Sequence, residues 1–194
     1  DPALENIFKE GKMLGVLIGL EKNSGKKVRL NAFSGLVGGK SIVDGFVPPI
    51  FDTTTLPILQ KKAQSPEQSA VLQSYLFDNY ITSNYLGERL SIKEIFARRG
   101  LVPPGGTGEC AGAKLLNRAY QLDLKPLSMG EFWYGKSPFS GEVREHGRFY
   151  PACTGKCGPL LSFMMEGLDV EENPLQRVPN VEEVSIIFED EHII

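Results

Sequence analysis

The stretch Met13-Leu14-Gly15-Val16-Leu17-Ile18-Gly19-Leu20 is almost wholly apolar, and it constrains the architecture more than any other segment. It reads as a strand buried on both faces. Asn23-Ser24-Gly25 then supplies a turn, in which Gly accepts a positive φ and Asn bonds its own backbone. From Lys27 to Ala32 the pattern alternates, with Val28, Leu30 and Ala32 against Lys27, Arg29 and Asn31. That is a half-buried strand, and the two runs make a hairpin.

Other elements group around this hairpin. Leu4, Ile7 and Phe8 lie on one side of a short helix predicted over residues 3–10, closed by Gly11. Residues 33–57 contain Gly35, Gly38, Gly39, Gly45, Pro48, Pro49 and Pro57 together with Phe33, Phe46 and Phe51, which predicts a long, ordered loop. Ser65-Pro66-Glu67-Gln68 is a helix start, with Ser at the N-cap, Pro at the first helical position and Gln three residues after the cap. Its expected apolar face is Val71, Leu72, Tyr75 and Leu76, extended by Tyr80. A second helix carries Ile92, Ile95 and Phe96 and ends in Arg98-Arg99-Gly100. A third helix is predicted over 107–124, a strand over 127–133, a polar loop over 135–149 and a last helix over 159–168. Beyond Asp169 the chain turns acidic and proline-bearing, as a linker does, before a new strand expected at Val184–Phe188.

Charge and cysteine content narrow the functional classes. A net charge of −3 argues against a surface coated in positive potential and leaves room for a local basic patch. Three cysteines exclude a disulfide scaffold and fit a reducing compartment, so a cytoplasmic location is expected. No run of about eighteen apolar residues occurs, so neither a transmembrane helix nor a membrane partner is expected. The start at Asp1 and the stop after Ile194 suggest a piece of a longer protein.

The three cysteines fall at Gly108-Glu109-Cys110-Ala111-Gly112 and at Pro151-Ala152-Cys153-Thr154-Gly155-Lys156-Cys157-Gly158, each beside a predicted helix N-terminus. Free N–H groups and the helix dipole lower a thiol's pKa there, and the thiolate is the form that binds zinc. Cys110, Cys153 and Cys157 are therefore candidate zinc ligands, with a fourth position for His146, His192, a carboxylate or water. The plain alternative is three unmetallated buried cysteines. A disulfide between Cys153 and Cys157 is disfavoured in a reducing compartment.

The order of hairpin, ligand-bearing helix, strand and cysteine-paired helix resembles that of zinc-dependent nucleobase deaminases. Cys110-Ala111-Gly112-Ala113-Lys114-Leu115-Leu116 is similar to the Cys-Ala-Glu-x-Lys start of the second helix in bacterial toxin-type deaminases, and Pro151 to Cys157 resembles a stretched Pro-Cys-x-x-Cys. This resemblance implies an α/β (α+β) fold in a three-layer arrangement with a mixed sheet, an N-terminal hairpin and a helical insertion at about 58–100. Gly112 stands where those enzymes carry the proton-shuttling glutamate. Glu109 lies about 100° away around the helix per residue and is a poor substitute, whereas Glu131 could approach from the next strand. A zinc-dependent deaminase-like hydrolase, degenerate at Gly112, is the alternative functional reading.

Several further segments resemble, in order, the long N-terminal extension of a branch of bacterial RluA-type pseudouridine synthases. They are Gly11–Leu17, Ala32-Phe33-Ser34-Gly35, Gly45–Asp52, Gly108–Ala111 with Lys114-Leu115-Leu116, Lys125-Pro126-Leu127 with Glu131-Phe132-Trp133, and Phe149–Cys153 with Gly155-Lys156-Cys157. Ile186–Ile194 is similar to the first strand of the synthase catalytic domain. The resemblance implies an accessory domain at 1–168, a linker at 169–181 and the start of the catalytic domain at 182–194. The family's catalytic Arg-Leu-Asp segment has no counterpart, so no catalytic residue carries over. The expected role is to help position structured RNA (rRNA or tRNA) or the parent's own C-terminal catalytic domain. Candidate RNA contacts are Arg98, Arg99, Lys114, Arg118, Arg144 and Arg148, with Phe132, Trp133 and Tyr134 as stacking surfaces. The plain alternative is solvated basic faces and core aromatics.

Overall fold

A computed structural model describes residues 2–51, 64–139 and 141–176. The end of the long loop, the last part of the linker (177–181), the strand expected at Val184–Phe188 and His192 lie outside the described residues. In chain order the elements are α1 (Pro2–Lys9), β1 (Lys12–Glu21), β2 (Lys27–Phe33), α2 (Pro66–Asn79), β3 (Ile81–Ser83), β4 (Arg89–Ser91), α3 (Ile92–Ala97), α4 (Ala111–Gln121), β5 (Leu124–Tyr134), β6 (Phe149–Tyr150) and α5 (Gly158–Met164). The fold is mixed α/β, with a small antiparallel sheet and several helices.

The main sheet has the order β2-β1-β5-β6. The hairpin forms where its turn signal sits, with Leu17 opposite Leu30 and Leu20 opposite Lys27. After β2 the chain returns along the sheet as α4 and enters β5 beside the end of β1, where Leu124 pairs with Glu21. The α4 crossover thus joins two strands of like direction, β2 and β5, but β1 lies between them. Every pairing is therefore antiparallel, which corrects the expected mixed sheet.

The expectation that β1 is buried on both faces is also corrected. Gly15, Leu17 and Gly19 are buried on the helix side, while Leu14, Val16 and Ile18 on the other side are half-buried. The reason is that α4 packs on one face alone. A Cβ on Gly15 would lie 2.9 Å from both Ala111 Cβ and Leu115 Cδ1, so glycine is what lets the helix backbone settle onto the strand. Among the described residues the opposite face is covered only near its end, where Phe8 of α1 meets Phe33, Val37 and Phe46.

The main core joins Leu17 and Ala32 of the sheet to Leu115 and Leu116 of α4, Leu160 of α5 and Phe96 of α3. The long loop is ordered through residue 51 by the backbone bond from Val47 N–H to Asn31 O and by Ile50 and Phe51 packing on that core. Helix α2 begins with the full Ser65–Gln68 capping box. On its expected apolar face Val71 and Tyr75 are exposed, Leu72 and Leu76 half-buried and Tyr80 buried, because the helix packs through its C-terminal turn, where Phe77 is also buried. The β3–β4 ribbon was not legible beforehand, since two three-residue strands carry no measurable period.

Candidate metal centre

Three local structures bring the cysteines together. Gly108, at φ +89°, turns the chain so that Cys110 caps α4. Thr107, almost fully buried, donates its hydroxyl to Pro104 O at 2.7 Å, with Lys156 O at 3.5 Å. That ties the approach to α4 to the approach to α5. Cys157 N–H then donates to Cys153 O at 3.3 Å, folding the second cysteine segment into one turn ahead of α5.

The result is a cluster in which the Sγ atoms of Cys110, Cys153 and Cys157 all lie within 4.8 Å of one another. Cys110 and Cys157 are closed as a disulfide, and Cys153 is the free, exposed member. The sequence reading expects three thiols and weighs only the neighbouring Cys153–Cys157 pair. The structure instead links α4 to α5, because the tertiary packing of the two helix starts brings those sulphurs closest. A disulfide needs two cysteines and leaves the convergence of the third unexplained. The Cα atoms of the bonded pair are 6.9 Å apart, just beyond the usual disulfide range of about 4.4–6.8 Å. Thiolates at about 2.3 Å from a tetrahedral zinc lie about 3.8 Å from each other. The donor set therefore fits zinc, with one position left for water or another ligand.

Two residues past Cys110, α4 meets a buried carboxylate. Glu131 of β5 is 9% exposed, and its Oε1 accepts the Gly112 N–H of α4 at 2.9 Å. Burial raises its pKa, opposed by the Gly112 hydrogen bond and by the nearby Arg144 charge. Gly112 lies on the inner face of α4, and a Cβ there would sit 3.7 Å from the Glu131 carboxyl carbon. Tyr150 is directly opposite Glu131 in the β5–β6 register. The Arg144 guanidinium stacks 4.5 Å from the Tyr150 ring and 5.8 Å from the Trp133 ring.

The other candidates are dispersed. Lys114 is 2% exposed, and its ammonium donates to Phe33 O at 2.9 Å and Gly35 O at 3.2 Å, which pins the loop after β2 to α4 and keeps this charge from the surface. Burial lowers its pKa from 10.5 to about 8. Arg98 pairs with Glu88 at 2.6 Å, while Arg99 is exposed at the end of α3. Arg118 is half-buried and bonds Gln121. Arg144, Arg148 and Trp133 do meet, since both arginines reach the Tyr150 ring and Arg148 also pairs with Glu145. Phe132 packs against Phe149, and Tyr134 against His146. His146 accepts the Gly135 N–H through Nδ1, so it braces the loop after β5 and is not part of the sulphur cluster. Tyr150 was missed, because nothing local in the sequence reveals which residue will stand opposite Glu131.

Among the described residues no helix is long and apolar enough to cross a membrane. No family model, curated protein or solved structure matches this chain.

Proposed function

We propose that this chain is the N-terminal accessory domain of an RluA-type pseudouridine synthase, organised around a zinc–thiolate centre of reduced Cys110, Cys153 and Cys157, and that it positions structured RNA for the parent's own catalytic domain. One observation carries the reading. Segments whose sequence resembles the synthase extension lie far apart in the chain, yet they converge on the cysteine cluster. Gly35 N–H bonds Glu109 O, and Lys114 holds Phe33 and Gly35. Ile50 approaches Gly108, Glu131 bonds Gly112, and Cys157 meets Cys110.

In this reading the three thiolates hold zinc and so fix α4 against α5, and the metal would add binding free energy to folding. The group of Arg144, Arg148, Trp133 and Tyr150 beside it offers cationic and stacking surfaces to RNA. With a net charge of −3, its RNA affinity is weak without the catalytic domain. Two measurements test the proposal. Elemental analysis of reduced protein purified without added metal should give close to one zinc per chain, and less than about 0.1 removes the centre. Deleting residues 1–168 from the full-length synthase should weaken RNA binding or alter site choice, and unchanged values for both remove the positioning role.

The second reading, a deaminase-like hydrolase, is favoured by one specific observation: the carboxylate of Glu131 at Gly112.

A further inference from the structure

We infer that Cys153 is an exchange site for low-molecular-weight thiols, through which the buried Cys110–Cys157 disulfide is opened. This site belongs to the disulfide form of the cluster and holds with or without zinc.

The three sulphurs differ in what can reach them. Cys157 is fully buried, at 0% exposure, and Cys110 is half-buried. Cys153 is free and exposed, at the head of the exposed run Cys153-Thr154-Gly155-Lys156. A Cβ on Gly155 would meet nothing within 4 Å, so open space surrounds that turn. The Cys153 Sγ nevertheless lies within 4.8 Å of both bonded sulphurs. Two hydrogen bonds hold its segment there: Cys157 N–H donates to Cys153 O at 3.3 Å, and the Thr107 hydroxyl reaches Lys156 O at 3.5 Å. Exchange requires a thiolate to attack a disulfide sulphur, and access to that sulphur helps set the rate. A dissolved thiol is kept from Cys157 by burial, whereas Cys153 is already beside it. A thiol fixed next to its target also attacks at a high effective concentration. Cys153 thus carries exchange from solvent to a bond that solvent does not reach.

The exchange balances in three steps. The Cys153 thiolate attacks the Cys157 sulphur, a Cys153–Cys157 bond forms, the Cys110–Cys157 bond breaks, and Cys110 leaves as the thiolate. Cys110 is the N-cap of α4 and its side chain caps no N–H in the disulfide form, so the helix start is free to stabilise that leaving group. An external thiolate then attacks the exposed Cys153 sulphur, making a mixed disulfide there and releasing Cys157 as the thiolate. A second external thiolate attacks the external sulphur of the mixed disulfide and frees Cys153. One protein disulfide and two external thiols have become two protein thiols and one external disulfide. The external thiols are oxidised, the chain is reduced, and the two protons they give up pass to Cys110 and Cys157. The disulfide and a zinc centre draw on the same Cys110 and Cys157 sulphurs, so this exchange is also a route from the oxidised cluster to three thiols.

The test compares the oxidised wild-type chain with Cys153→Ser, both in the presence of a chelator so that metal plays no part. Peptide mapping should first show the Cys110–Cys157 bond in both proteins, and a wild-type map without it overturns the inference. Opening by reduced glutathione is then followed by alkylation and mass spectrometry of the Cys110 and Cys157 peptides. It should be at least about tenfold slower in Cys153→Ser. Opening by a phosphine, which cleaves disulfides without a thiol, should proceed at the same rate in both. Equal glutathione rates overturn the inference. So does a phosphine rate that falls as far as the glutathione rate, because the variant then acts through the fold and not through exchange. None of these readouts depends on zinc content, so the exchange site and the zinc centre fail separately.

Discussion

Lys114 is held in a setting that most lysines avoid, with its ammonium under the Phe33 ring at 4.8 Å and two carbonyls as partners. Burial is the largest cause of its fall from 10.5 to about 8, with Glu109 opposing and Lys12 reinforcing it. Below about pH 8 the group is charged in both the folded and unfolded chain. Between about 8 and 10.5 only the unfolded chain holds the proton, so stability rises with pH across that window. The rise is at most about 3 kcal/mol. Lys114→Met should abolish it, read as the difference in denaturant midpoint between wild type and variant from pH 7 to 10. Tyr80 and Tyr120, whose hydroxyls burial pushes up, act in the opposite sense only above about pH 10. The exposed Cys153 separates the two chemistries of the sulphur cluster. Cys153→Ser leaves the Cys110–Cys157 pair intact and should change stability by less than about 0.5 kcal/mol. The same change should weaken zinc binding by at least about tenfold, measured by competition with a chromogenic chelator.

At the scale of elements, the site depends on how closely α4 lies on β1 and β5. Gly15 sets that distance, since its missing Cβ is replaced by Ala111 and Leu115. Gly15→Val should cost about 1–3 kcal/mol by overpacking, in chemical denaturation. Because Ala111 follows Cys110 directly, the same variant should lose zinc, although it touches no ligand. The elements that were legible beforehand are those with strong local chemistry. The Asn23-Ser24-Gly25 turn gave the hairpin and the Ser65–Gln68 box gave the start of α2, while Cys110 is expected near a helix start at 107 and the structure begins α4 at Ala111, with Cys110 as its N-cap. The Ser91–Glu94 box that opens the six-residue α3 has equally local chemistry.

For the whole molecule, the cysteine cluster joins the two helices that complete the core, so under the proposed zinc reading metal binding and folding would be thermodynamically linked. Under reducing conditions, free zinc at about a hundred times its Kd should add about 2.7 kcal/mol of stability. In a chain of this size that is a rise in Tm of about 5–10 °C, reversed by a chelator. A Tm indifferent to zinc would mean that the cluster holds the helices by other means. What the sequence determined by itself is the set of local signals: turn residues, helix caps, alternation in β2, and cysteines placed at helix starts. Those are set by neighbours within a few residues and act before any packing. Only the tertiary structure decided that β1 has one open face, that the sheet is antiparallel throughout, that Cys110 reaches Cys157 across 47 residues and that Glu131 reaches Gly112 across 19. Such contacts follow from strand register and from which helix face is buried. Both are fixed by the summed packing of the core, which no short stretch of chain encodes.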